Sequence, residues 1–131
     1  MGRAAGNGGN VRLILGLVMA GVLAAGQGHR LKPAPRWWVV SVAALVAVNV
    51  LDAHSSWGRV EVNPMLRSRD GRFGGRAVAI KGGVTAGMVV IEALAMRRRP
   101  GVASGCALVN FGAAGALGAA AAHNYRLGGR R

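Results

Sequence analysis

Residues 37–57 read WWVVSVAALVAVNVLDAHSSW, an apolar run from 37 to 53 held between Trp37 and Trp38 at one end and Trp57 at the other. Twenty residues of α-helix at about 1.5 Å each separate Trp37 from Trp57 by about 30 Å, which matches the hydrocarbon core of a bilayer. Tryptophan favours both membrane–water interfaces because its ring is apolar and its N–H is polar. The spacing predicts a membrane-spanning helix, and the rest of the chain is organised around it.

Three further apolar blocks cover residues 13–26, 77–96 and 102–122, of 14, 20 and 21 residues. Crossing a bilayer takes roughly 17 to 25 residues, so the two later blocks qualify and the first is short. The chain has 131 residues, 52% of them hydrophobic, and a mean hydropathy of +0.34, too apolar for a water-facing surface of one domain. An open sheet would leave backbone N–H and C=O groups unpaired in lipid, so the expected fold is all-α. It is a transmembrane helical bundle with three core helices, preceded by an N-terminal helix or a signal peptide. The expected divisions are 1–36, the N-terminal hydrophobic segment and connector; 37–127, the membrane domain; and 128–131, a basic tail. Arg3 and Arg12 ahead of the short block, with Ala24 and Gly26 after it, fit both a snorkelling helix and a leader cleaved near Gln27. Pro33 and Pro35 interrupt any helix before Trp37.

A formal charge of +13 invites a nucleic-acid partner. Position argues against one: sixteen of the 17 basic residues lie outside or at the ends of the apolar blocks, and only Lys81 sits well inside. That is how interfacial anchors are distributed, and anionic lipid headgroups are the partner this charge suits. With four spans, ten basic residues flank one face and six the other. This places the long loop and the C-terminus in the cytoplasm of a multi-pass protein of the plasma (inner) membrane. The Arg97-Arg98-Arg99 turn opposes that orientation. Cys106, alone, forms no internal disulfide and reads as a small packing residue.

Glycine recurs as Gly83-x-x-x-Gly87 in the block 77–96 and as Gly101, Gly105, Gly112, Gly115 and Gly118 near or within the last block. Small residues let helix backbones approach in lipid, so this pattern predicts tight packing between the last two helices. Self-association or a membrane-protein partner through Gly83 and Gly87 is the alternative.

Lys81 and Glu92 are eleven residues apart, about 1100° of helix, and so lie within roughly 20° of one face but about 16 Å apart along the axis. Each needs its own partner. A charge at mid-membrane costs about 2.5 to 3.5 kcal/mol, against about 0.3 to 0.6 recovered per aliphatic residue, so both should face the bundle interior or snorkel. Asp52 is the expected partner of Lys81; Arg36 or the Arg97 to Arg99 turn is that of Glu92. Asn110 falls on the same face as Asn124 and is expected inside the bundle.

The helix directions bring Asn49, Asp52, His54, Glu61, Asn63, Lys81, His123 and Asn124 toward one membrane face. Carboxylates, imidazoles, amides and an amine together allow three chemistries besides a hydrogen-bonded plug joining loop to helix ends. Asp52, His54, Glu61 and His123 are of the types that ligate zinc, iron or manganese, though their spacing matches no local metal motif. Asp52, Glu61, Lys81 and His123 could pass a proton or a metal ion. Glu61 and His123 could act as acid and base if both reach one substrate. No nucleophile elbow, phosphate loop or dinucleotide fingerprint is present, and no cofactor is indicated. A binding, assembly or structural membrane component is favoured over a catalyst.

Asn49-x-x-Asp52-x-x-Ser55, then Glu61-x-Asn63-Pro64, Lys81 in the next helix and His123-Asn124 in the last together resemble an uncharacterised family of small prokaryotic membrane proteins, defined as a domain of unknown function. The resemblance covers residues 37–127, with Ser55-Ser56 where the family has Thr-Thr or Ser-Thr. It implies a compact helical membrane domain with these polar positions as its signature, and no activity.

Overall fold

The computed structural model describes residues 34–128. The readings of residues 1–33, helix or leader, and the basic tail from 129 onward lie outside the described residues.

Three long helices account for most of what is described: α1, Arg36–Ser56; α2, Gly75–Arg98; and α3, Ala103–Gly128. A 3₁₀ turn, Pro100–Val102, connects the last two. All three helical segments are long and apolar enough to cross a membrane. Helix α1 starts after Pro35, whose fixed φ suits a helix start. Helix α2 ends on Arg97 and Arg98, cations suited to a helix C-terminus, and Pro100 prevents its continuation. Helix α3 runs past the apolar block to Gly128, so His123, Asn124 and Tyr125 are helical.

Cross-links give the directions. Ser41 meets Asn110 and Ser55 meets Asn124, so α1 and α3 run parallel; Trp38 meets Glu92 and Lys81 meets Asp52, so α2 runs antiparallel to α1. Helix α1 packs mainly on α3, and α2 touches both far less.

The α1–α3 seam follows from a seven-residue repeat. On α1, positions 38, 45 and 52 alternate with 41, 48 and 55; Trp38, Ser41, Leu45, Asp52 and Ser55 of this set are buried. On α3, Ala103, Ala107, Asn110 and Ala114 step by three and four residues and Ala121 follows seven further on, and all are buried. That spacing keeps one stripe facing a neighbouring helix, and alanine lets the two backbones approach. Leu45 fills the middle of the seam.

The glycine expectation is overturned. A methyl at Gly83, Gly87, Gly101, Gly105, Gly112 or Gly115 would meet nothing within 4 Å among the described residues, and of the glycines in this pattern only Gly118 faces a neighbour, with Val48 Cγ1 at 3.8 Å. Helices α2 and α3 therefore do not pack through these glycines. The alanine stripe takes that role, between α1 and α3. Cys106 lies against the small cluster of Trp38, Val42 and Val89, as a packing residue should.

The loop between α1 and α2 is folded back on itself. Gly58 and Phe73 are linked by the bond from Gly58 N to Phe73 O at 3.0 Å, and Phe73 N donates to Arg59 O at 2.8 Å. Asp70-Gly71 turns the chain, with Gly71 at φ 78°, a conformation that glycine adopts without strain. Phe73 and Ala77 are buried and seat the loop on the helix ends.

Candidate functional site

Two groups of polar side chains join the helices, one near each end of α1. Trp38 and Asp52, one in each, are 14 residues apart, about 21 Å along the axis.

The group at the loop end contains the expected pair. Lys81 Nζ donates to Asp52 Oδ2 in the one ion pair among the described residues. The Asp52 carboxylate is buried, and Lys81 lies over the Phe73 ring with its Nζ 5.6 Å from the centroid. A cation above an aromatic face is attracted by the ring quadrupole, so Phe73 adds a second favourable contact for the amine.

Around this pair, Asn124 Nδ2 donates to Ser56 Oγ at 3.0 Å and to Ser55 Oγ at 3.4 Å. Arg59 Nη2 donates to the Asn124 carbonyl at 2.6 Å, which also serves the C-terminal half of α3. His54 Nδ1 and the Tyr125 hydroxyl are 2.8 Å apart. Arg59 and Tyr125 are the members of this group that residue type alone does not single out.

The remaining residues of the sequence set are engaged elsewhere. Asn49 Nδ2 donates to Leu45 O one turn back on its own helix, at 3.0 Å. Glu61 Oε1 accepts from Asn63 N at 2.9 Å, and Asn63 Oδ1 accepts from Met65 N at 3.0 Å, so both acceptors stabilise the loop's own turns. His123 is exposed. Among the described residues no three His, Cys, Asp or Glu side chains converge to hold a metal ion. Asp52, His54, Glu61 and His123 are thus not brought together as a ligand set.

The second group lies between the helices toward the other end. Glu92 is buried on α2, and its Oε2 accepts from Trp38 Nε1 at 2.7 Å and from Asn110 Nδ2 at 3.0 Å. Asn110 Nδ2 also donates to Ser41 Oγ at 3.2 Å, and Ser41 Oγ donates to Trp38 O at 2.8 Å. The expected ion pair of Glu92 with Arg36 or Arg97 to Arg99 is therefore replaced by neutral donors. Helix α2 turns Glu92 onto the same inward face as Lys81, where α1 and α3 present an indole N–H and an amide. Trp38 accordingly is 7% exposed while Trp37 is 74% exposed, so only Trp37 of the two remains free as an interfacial anchor. Asn110 is fully buried, and its Oδ1 has no hydrogen-bond partner among the described residues.

The chain matches no protein-family model, no curated protein and no solved structure. The geometry alone carries the functional reading.

Proposed function

We propose that this chain is a multi-pass protein of the plasma (inner) membrane, with its C-terminus in the cytoplasm, serving as a binding or assembly component rather than a catalyst. The observation that carries the proposal is the Asp52–Lys81 pair with the adjoining Asn124 contacts. These bind the loop-side ends of three apolar helices to one another, using groups that are costly in lipid unless paired. A polar clamp of this kind fixes the relative placement of helices and leaves their outer faces for partners. The face of α2 bearing Gly83 and Gly87 is open among the described residues, and self-association or a membrane-protein partner there belongs to the same proposal. So does membership of the small membrane-protein family that residues 37–127 resemble. Alkaline carbonate extraction of cell membranes tests the core of the reading: the chain is expected in the pellet, and its release into the supernatant would refute membrane insertion.

A second reading makes the chain a small proton or metal-ion translocator using Asp52, Glu61, Lys81 and His123. It is favoured by one observation, a carboxylate–amine pair within apolar helices whose lysine side chain remains 27% accessible. Proteoliposome flux separates the two readings. Ion or proton flux above empty vesicles, lost in Asp52→Asn without loss of folded protein, supports translocation; flux at empty-vesicle level excludes it.

A further inference from the structure

We propose that the loop between α1 and α2 holds the phosphate of an anionic phospholipid, in a cleft formed by Arg67, Arg69 and Arg76 at the start of α2. The inference rests on the membrane reading above and assigns a ligand to a different part of the molecule from the Asp52–Lys81 pair.

The cleft has a volume of about 440 Å³ and is lined by Pro64, Arg67, Ser68, Arg69, Gly71 and Arg76. All three arginines are exposed, and none takes part in an ion pair among the described residues. The nearby acids are otherwise engaged: Asp70 Oδ1 accepts from Arg72 N at 3.2 Å, and Glu61 Oε1 accepts from Asn63 N. Arg72 and Arg59 are occupied with the carbonyls of Gly58 and Asn124. Three guanidiniums that no ion pair among the described residues engages therefore line one open cleft. A planar guanidinium gives two parallel N–H bonds to a phosphate, and three around a cleft can surround one.

Helix α2 starts in the same cleft. Its first turn carries no acidic residue, no side chain caps it, and Arg76 stands at its second position. A cation is disfavoured by the helix dipole there, and an anion is favoured. A bound phosphate reverses that local imbalance.

The loop's apolar side chains choose between a lipid and a phosphate from solution. Val60, Val62 and Met65 are 78%, 86% and 69% exposed, and Trp57 beside them is also exposed. Uncovered apolar side chains from 57 to 65 followed by the arginines at 67, 69 and 76 suit a segment lying at the headgroup–acyl boundary, where each kind meets its own solvent. The cleft then opens toward headgroups next to the first turn of an apolar helix.

The test reconstitutes the full chain in bilayers of equal parts phosphatidylcholine and phosphatidylglycerol, re-extracts it gently and measures the ratio of the two lipids that stay bound. Phosphatidylglycerol is expected to be enriched. The R67A/R69A/R76A variant is expected to lower that enrichment at least about fivefold, and the charge-matched R97A/R98A/R99A variant at the other end of α2 to leave it unchanged. R67K/R69K/R76K, which keeps the charge and loses the fork, is expected to fall between wild type and the alanine variant and guards against misfolding of the latter. Equal losses in both alanine variants, or no enrichment in protein that has inserted, would overturn the proposal. Displacement of the lipid by inorganic phosphate would overturn the lipid assignment in favour of a soluble anion. Failure of the chain to enter the bilayer is a separate result, defeating the membrane reading and the lipid site with it.

Discussion

Trp38 Nε1 donates to Glu92 Oε2 at 2.7 Å, joining α1 to α2 across 54 residues of sequence. The same carboxylate oxygen takes a second neutral donor from Asn110 on α3, so one acidic side chain bridges all three helices without a cation. Glu92→Gln retains a carbonyl oxygen for both donors and removes a carboxylate that is costly among apolar helices. Its thermal stability in detergent is expected to equal or exceed that of the wild type. Glu92→Leu leaves the indole N–H and one of the two N–H groups of the Asn110 amide unsatisfied, at about 1 to 3 kcal/mol each, and is expected to melt lower. A Glu92→Gln variant that unfolds while Glu92→Leu is stable would show that the neutral-donor account is wrong.

Asp52 and Lys81 should behave as a coupled pair. Either Asp52→Ala or Lys81→Ala strands a charge among apolar helices and is expected to destabilise by about 3 kcal/mol. The double variant is expected to cost clearly less than the two single changes added together, with a coupling of about 0.5 to 3 kcal/mol. Additive losses in a double-mutant cycle would mean that the pair does not interact in the folded protein.

The outward glycines make the opposite prediction from the alanine seam. Gly112→Ala, with open space at the new methyl, is expected to be neutral or to stabilise by up to about 1 kcal/mol through helix propensity. Ala114→Leu, in the buried stripe against α1, forces the helices apart and is expected to cost about 1 to 3 kcal/mol or more. Thermal unfolding of the two variants side by side checks the assignment of faces, and a reversed order would refute it.

Tyr125→Phe removes the hydroxyl facing His54 Nδ1. Both residues are exposed, so water replaces the lost partner, and the expected loss stays within about 0.5 to 1.5 kcal/mol. A larger loss in a denaturation experiment would assign this contact a structural weight that its exposure does not support.

The positions of the helices are legible in the residues because length and apolarity are what a bilayer selects, and the tryptophans at 37 and 57 mark the ends of α1. The Asp52–Lys81 pair is legible for a related reason: two opposite charges in apolar helices have few alternatives to each other. Glu92 follows a different rule. Its position favours an arginine at the near interface, yet Trp38 and Asn110 already supply donors inside the bundle, and nothing in residue type reveals that Trp38 turns inward while Trp37 turns out. The alanine seam is hard to see because helices that are apolar all round have no polar side against which a packing stripe stands out. Glycine spacing on α2 and α3 is the more conspicuous pattern, but, Gly118 apart, it lies on faces that no helix among the described residues covers. Glu61 and Asn63 share the loop-side end with Asp52, and short-range hydrogen bonds within their own turn claim their acceptors.

Asn110 lies on α3, which leaves the ribosome after α1 and α2, and this sets an order of assembly among the three helices. When α2 emerges, Asp52 is already in place for Lys81, so the loop-side end can close at once. Glu92, at the other end, then has Trp38 alone until α3 follows and brings the amide. Helix α3 therefore completes a socket that α1 and α2 leave half built, and a chain truncated before residue 103 would carry a buried acid with one of its two donors missing.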